Sequence, residues 1–314
     1  MNKKFDIITA GEMLIDFTSG KEPYTYTANP GGAPANVAVS VARNGLKSGF
    51  LGMMGNDDFG KRLNQVLIDN NVTPLCKNLT DKAVTTLAFV TLYEGGERSF
   101  TFTRKPGADI MLTPSDYDSS DIKNAVIFNS GSFSLTDDPA RTTLIDEIKE
   151  CSKAGVIISF DINYRDAVWG SMDKCLNVIE EILPNVDLLK ISDEELFFAG
   201  GEENIPAFMK KYGITALIET LGSKGSKYYY NGNNKILESM KVKAVDATGA
   251  GDAFWGGFLS NLVMQGVNTV NDINESVLEN ALKYGNISGG LCVTKMGGIP
   301  GIPTKEDISR ALSI

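Results

Sequence analysis

From residue 124 onward, apolar strand-like runs and amphipathic segments take turns, and this alternation constrains the fold more than any other feature of the chain. The strand candidates are Ala125 to Asn129, Val156 to Asp161, Val186 to Ile191, Ala216 to Thr220 and Lys241 to Val245. Helices are expected near 138–153, 173–183, 193–199, 204–212, 251–265, 275–292 and 304–313. Apolar strands separated by helices belong in a mostly parallel sheet with helices on both faces, an α/β architecture. Tyr228 to Tyr230 and Lys235 to Leu237, around Asn231-Gly232, predict a hairpin at the sheet edge. Upstream, Phe5 to Glu12 and Gly49 to Gly55 read as buried strands, and Ala35 to Asn44 as a closely packed helix started by Pro34. Phe59, Leu63, Val66 and Leu67 share one face of a further helix. No internal repeat or low-complexity linker breaks the 314 residues, so residues 1–314 are expected to form a single domain.

Two excursions interrupt this pattern. Met13 to Thr18 and Tyr24 to Thr27 read as short exposed strands. Thr85 to Tyr93 and Arg98 to Arg104 flank Glu94-Gly95-Gly96-Glu97, a hairpin signal. Segments 13–32 and 85–113 together predict one small β-sheet, a lid inserted in the main domain. Alternation puts Arg98, Phe100, Phe102 and Arg104 on one face. That face suits either a polar ligand or a partner subunit, and both can hold.

The chemistry concentrates in Asp246-Ala247-Thr248-Gly249-Ala250-Gly251-Asp252, which follows a strand candidate and opens the apolar segment Ala253 to Met264. The glycines let the backbone turn tightly and approach a ligand. The N–H groups at a helix start, with the helix dipole, form an anion site. Asp252 lies in the first turn of that helix, where it either complements the dipole or serves as the base in phosphoryl transfer. Phe254 stands where a dinucleotide fingerprint requires glycine, which counts against a nicotinamide dehydrogenase.

The absence of histidine excludes serine–histidine hydrolysis and histidine general bases. A net charge of −9 argues against nucleic acid or an anionic membrane as the main partner. Cys76, Cys151, Cys175 and Cys292 match no metal spacing and read as reduced thiols. With a charged start at Met1 to Asp6 and no long apolar segment, a cytoplasmic location is expected.

Ligands of open α/β sheets bind at the carboxyl ends of the strands. That rule selects Gly32 to Asn36, Asp161 to Arg165, Ser192 to Glu195, Thr220 to Gly225 and Asp246 to Asp252, with Asp16 on the lid. Two of these stretches carry a likeness. Gly31-Gly32-Ala33-Pro34-Ala35-Asn36, followed by Gly45 and Gly55, and Asp246 to Asp252 together resemble the two signatures of the ribokinase-type (PfkB) carbohydrate kinases. The match in order and spacing runs from about Phe5 to Thr304. Gly11 to Phe17, Pro30 to Ala38 and Arg104 to Asp109 resemble the fructokinase branch most.

The resemblance implies an ATP-dependent sugar kinase, with fructose the expected acceptor and fructose 6-phosphate the product. A 2-keto-3-deoxygluconate kinase is an alternative within the family, and a non-catalytic sugar or nucleotide sensor is one outside enzymology. It implies Asp252 as catalytic base, Gly249, Ala250 and Gly251 as the phosphoryl cradle, and Arg165 as a phosphate or substrate contact. Surface pairing of Arg165 with Asp161 or Asp166 is the bland alternative. Asp16, Gly32 and Asn36 would bind sugar hydroxyls, with Phe102 and Arg104 from the lid face, although Asn36 also suits a helix cap. Thr220, Gly222, Lys224 and Gly225 would form the nucleotide loop, Asn286 would pass the adenine, and Ser192 would approach the nucleotide. Glu195 would organise Mg²⁺ through water, although Ser192-x-x-Glu195 is equally a helix capping box. Asp246 and Thr248 are where the resemblance implies a K⁺ site, with carbonyls near Cys292, Lys295 and Gly297. A homodimer through the lid sheets is also expected, with Tyr24, Tyr26, Phe89 and Phe100 as contacts.

Overall fold

The alternation along the sequence becomes an alternation across a sheet. In a computed structural model, which describes residues 3–20, 22, 24–92 and 98–313, the strands are β1 (Phe5–Ala10), β2 (Leu14–Ser19), β3 (Tyr26–Gly31), β4 (Ser48–Leu51), β5 (Val72–Pro74), β6 (Leu87–Leu92), β7 (Arg98–Thr103), β8 (Ala125–Gly131), β9 (Ile157–Asp161), β10 (Leu188–Ser192), β11 (Ala216–Thr220), β12 (Ser226–Tyr230) and β13 (Asn233–Leu237). The helices are α1 (Ala33–Arg43), α2 (Asp58–Asp69), α3 (Ser119–Ile122), α4 (Ala140–Lys153), α5 (Asp166–Trp169), α6 (Met172–Ile182), α7 (Ile205–Tyr212), α8 (Ala250–Met264), α9 (Glu275–Cys292), α10 (Gly298–Gly301) and α11 (Lys305–Leu312).

The main sheet runs β13-β12-β11-β10-β9-β8-β1-β4-β5, parallel except at β12. Ile7, Ile127, Ile157, Leu188 and Ile218 pack on one face against Trp255 and Phe258 of α8 and Leu278 and Leu282 of α9. Their neighbours Ile8, Phe128, Ile158, Leu189 and Leu217 pack on the other against Leu144 and Ile148 of α4 and Ile179 and Ile182 of α6. Each such side chain, fully buried, stabilises the fold by about 1.5–3 kcal/mol. The chain leaves β1 toward β4 on one side and β8 on the other, so the crevice between the carboxyl ends of β1 and β8 is a topological switch point.

The helix starts follow local chemistry. Asp57 accepts from Gly60 N–H at the head of α2, and Asn274 accepts from Val277 N–H at the head of α9. The Asn231-Gly232 hairpin forms as expected, joining β12 to β13. One expectation is corrected. Lys241 to Val245 is not a strand; all five residues are exposed and the segment lies outside the sheet, because its Lys/Val alternation offers no second apolar face. The helix expected at 193–199 forms as a 3₁₀ helix, pinned at its start by a capping box. β5 was not anticipated, being three residues long and ending in proline.

The second sheet runs β3-β2-β6-β7, with β2 and β6 parallel and the outer pairs antiparallel. It unites the two excursions, as expected of a lid. The turn at Glu94 to Glu97 lies outside the described residues, as do the side chains of Arg98 and Phe100. Asn29, Asp16, Ala88 and Phe102 stand opposite one another across the sheet and so share a face. On the opposite face Phe17 stacks on Phe89 at 5.1 Å, and Tyr26 meets Phe89 edge-on at 5.6 Å. Among the described residues no helix is long and apolar enough to cross a membrane.

Candidate active site

Gly249 turns the chain into α8 with φ 74°, a left-handed conformation that favours glycine. A Cβ there would stand 2.9 Å from the Cα of Gly298, so the turn is also closed to side chains. Ala250 N–H donates to Ala247 O at 3.2 Å within the turn. Asp252 follows in the first turn, where its Oδ2 accepts from Asn36 Nδ2 at 2.7 Å. Burial holds its carboxyl above the usual range, while the Asn36 hydrogen bond and the Lys190 charge pull it back.

Asn36 comes from the first turn of α1, and its Oδ1 is buried without a hydrogen-bond partner. It therefore does not cap its own helix, where Gly32 occupies the cap position. Gly32 has φ 110°, and a Cβ on it would stand 2.4 Å from the Glu12 carbonyl oxygen. Asp16 projects beside this start, and a Cβ on Gly31 would lie 2.1 Å from its Oδ2. Its pKa is raised from 3.8 to about 6, first by burial, then by the charge of Asp252, against the pull of Arg165. Arg165 heads α5, exposed, with one guanidinium N–H on Tyr164 O at 2.9 Å. It pairs with neither Asp161 nor Asp166 in an ion pair among those found; Asp161 pairs with Lys190 and Asp166 accepts from the Tyr164 hydroxyl.

Lys190 was not singled out in the sequence, yet it lies at the centre of the site. Its Nζ is 2.8 Å from Asp161 Oδ2, with both side chains only 8% exposed. The same ammonium lies 3.8 Å from where a Cβ on Gly251 would stand. Burial works against its charge, but Asp161, Glu195 and Asp252 outweigh burial and hold its pKa up. The other oxygen of Asp161, Oδ1, is buried without a partner. Glu195 accepts from Tyr164 N–H at 2.7 Å and from Ser192 N–H at 2.9 Å, binding the loops after β9 and β10 together. The capping box is thus realised at Ser192 and Glu195.

On the other flank, Thr220 ends β11, and Gly222 to Lys224 form a single 3₁₀ turn closed by Gly225. Gly225 has φ 110°, and a Cβ would meet Leu237 O at 2.1 Å. Lys224 is exposed. Asn286 Nδ2 donates to Leu237 O at 2.9 Å, fastening α9 to the end of β13. Asp246 Oδ1 accepts from Thr248 N–H and hydroxyl at 3.0 and 2.8 Å, and Oδ2 accepts from Gly297 N–H at 2.9 Å. These groups line the same end of the sheet as Asp252.

A buried acid at a glycine-turned helix start, held by an amide whose oxygen has no partner and near a second carboxylate on the small sheet, suits a phosphotransferase acting on hydroxyls. Residues 4–305 match the pfkB family of carbohydrate kinases. The chain belongs to that family. It is 41% identical to the probable chloroplastic fructokinase-6 of Arabidopsis thaliana, over 98% of this chain and 82% of that one. Its fold matches the fructokinase of Xylella fastidiosa with bound ATP at a TM-score of 0.89 and 28% identity, covering 98% of each chain. It matches a double mutant of the Vibrio cholerae O395 fructokinase, in its fructose, ADP and potassium ion bound form, at 0.86 and 31%, covering 99% of each.

Within this carbohydrate kinase, the lid residues separate. Phe102 meets Phe133 edge-on at 5.4 Å and packs with Leu14, Ala88 and Val168 above the site. Arg104 turns inward instead. It donates to Asp109 through Nε and Nη2 at 2.9 and 2.6 Å, to the Thr136 hydroxyl at 2.6 Å and to Phe133 O at 3.2 Å. Its guanidinium also lies 4.7 Å from the Phe133 ring centroid. Glu12 is the second residue the sequence reading passed over; a carboxylate directly after an apolar strand was the available signal.

Proposed function

We propose that this kinase transfers the γ-phosphoryl group of ATP to fructose, giving fructose 6-phosphate. The observation that carries the chemistry is Asp252, buried in the first turn of α8 and held at 2.7 Å by Asn36. There it takes the proton of the attacking hydroxyl, a transfer that a loose transition state requires only late. The Gly249 and Gly251 backbone and the Lys190 ammonium face the charge that builds on the phosphoryl group. Asp16 and Asn36 hold sugar hydroxyls, and Phe102 closes above them. Arg165 bridges the electrostatics of the two carboxylates and offers a cation to phosphate. Thr220, Gly222, Lys224 and Gly225 line the nucleotide side, beside Ser192 and Asn286.

The acceptor follows from whole-length likeness to fructokinases and from Arg104. The guanidinium that would mark an acidic sugar is engaged by Asp109, Thr136 and Phe133. A neutral sugar suits the hydroxyl-binding groups that remain.

Mg²⁺, when bound with ATP, neutralises charge on the β- and γ-phosphates. Among the described residues no group of three or more acidic, histidine or cysteine side chains forms a metal cage. Glu195 already accepts from two backbone N–H groups. Both facts fit an ion carried by phosphate and water, with Glu195 in its outer sphere. Asp246 and the Thr248 carbonyl are the hard oxygen donors that K⁺ takes, and K⁺ there would steady the turn leading to Gly249. The aromatic outer face of the lid, with Tyr24 97% and Tyr26 47% exposed, supports a homodimer through the lids. Sedimentation as a monomer at micromolar concentration would remove that part.

The test is ADP release with a panel of sugars, with and without K⁺. Fructose should give the highest kcat/KM. An advantage of about tenfold or more for 2-keto-3-deoxygluconate or a sugar phosphate sinks the fructose reading and leaves the kinase standing.

A further inference from the structure

Glu12 sits at the switch point, between the carboxyl ends of β1 and β8, and is only 4% exposed. Its Oε1 accepts from Ala33 N–H at the start of α1 at 3.1 Å, and its Oε2 lies 3.3 Å from the Ser134 hydroxyl. The backbone is pressed equally close. A Cβ on Gly11 would stand 2.6 Å from the Pro34 ring, and one on Gly32 2.4 Å from Glu12 O. Ala33 lies between Gly32 and Asn36, the residue that holds Asp252. Ser134 lies beside Phe133, whose carbonyl and ring receive Arg104 from the lid. One carboxyl therefore ties the sugar-binding end of α1 to the segment on which the lid is anchored.

We propose that Glu12 is a positioning residue that holds the α1 start through Ala33 and the lid anchor through Ser134. Both partners donate to its carboxyl, Ala33 N–H to Oε1 and the Ser134 hydroxyl to Oε2, so one side chain joins two elements. The charges facing it are Asp109 and Arg104 from the lid side and Asp161 across the small cavity at the end of β9. Burial, reinforced by Asp109 and opposed by hydrogen bonds from its own backbone N–H and from Ala33 and by the charge of Arg104, raises its pKa from 4.5 to about 8. Since the folded value is the higher one, the unfolded chain loses this proton first. Stability is then lost as pH rises from about 4.5 to about 8. Above that range the ionised acid faces the like charge of Asp109.

This inference rests on the sugar-kinase reading, so wild-type turnover is measured first, and an inactive wild type with every sugar fails that reading. With an active wild type, kcat/KM for the sugar should fall as pH passes about 8. Glu12→Gln, which keeps an acceptor and a donor, should retain activity at neutral pH and lose that alkaline limb. Glu12→Ala should raise the sugar KM by about tenfold or more and leave the ATP KM within about twofold. A Gln variant that keeps the wild-type limb, or an Ala variant that moves both KM values equally, overturns the proposal. Should the Ala variant not fold, the Gln pH profile decides alone.

Discussion

Two buried ion pairs lie on either side of the sugar site, and they differ in what is left over. Arg104 and Asp109 are bonded to each other and to Thr136, Phe133 and Thr86, leaving neither side chain with a buried partnerless atom among those found. Lys190 and Asp161 are bonded to each other, but Asp161 Oδ1 is buried without a partner, as is Asn36 Oδ1 nearby. Orphaned buried polar atoms cost free energy unless something completes them. The finished network reads as a fastening for the lid, and the other keeps two acceptor oxygens without a protein partner. Residue type alone would have assigned the roles the other way, since an arginine on the lid looks more like a ligand contact than a lysine inside a strand.

The largest effect that could break this contrast is at Asp252. Asp252→Asn should fold and bind sugar, but lose turnover by on the order of 10²–10⁴-fold. Turnover within a few-fold of wild type, by ADP release, would take Asp252 out of the mechanism.

Lys190 comes next. Lys190→Met should lower kcat by about 10²–10³-fold, as expected for a lost charge-stabilising donor. It should also destabilise the fold, because Asp161 is left buried and unpaired. Adding Asp161→Asn should restore the melting temperature without restoring kcat. Recovery of both together would make the pair structural, like the one on the lid.

Arg104→Met should show the opposite profile, a loss of about 3–5 kcal/mol of stability from stranding Asp109. Denaturant unfolding reads that loss, and Asp109→Asn in the same chain should return most of it. The fructose KM in the double variant should stay near wild type. A large rise in KM with full stability would place Arg104 on the sugar instead.

The smallest effect is a pH limb. Asp16 accepts more strongly from sugar hydroxyls when ionised, and its pKa is about 6, so kcat/KM should rise with pH up to about that value and then level. For the fold the sign is reversed: the unfolded chain releases this proton nearer 3.8, so the contribution is lost between 3.8 and about 6. Asp16→Asn should lower kcat/KM and shift the acid limb downward; an unshifted limb would assign it to another group.

Much of the architecture was legible because the strands are buried on both faces and so read as unbroken apolar runs. The glycine loop and Asp252 were legible because tight turns leave few residue choices. Lys241 to Val245 misled because alternating lysine and valine has the period of an edge strand, while nothing in it forces pairing. Lys190 was missed inside Leu188-Leu189-Lys190-Ile191, where the apolar neighbours declare a strand and conceal its one charge. Glu195 was legible twice over, and its two backbone hydrogen bonds show the capping reading realised without excluding the other. Pairings between distant elements, such as Asn36 with Asp252 or Arg104 with Asp109 and Thr136, follow from the packing of whole elements and leave no local mark.

The row Asn29, Asp16, Ala88, Phe102 belongs to the small sheet, whereas Lys190 belongs to the large one and Asp252 to α8, which packs on it. Of the two proposed sugar contacts, Asp16 thus stands on the small sheet and Asn36 beside Asp252 on the main body, so a bound sugar would span the two. Water lacks the string of hydroxyls needed to bridge Asp16 and Asn36, and it gains no hold on the small sheet. ATP waiting alone should therefore decay slowly in this site, and idle hydrolysis should rise when a non-reactive sugar analogue closes the two bodies around a water molecule. On the proposed mechanism, the division between the sheets would guard against waste, with ATP protected by the shape of the sugar.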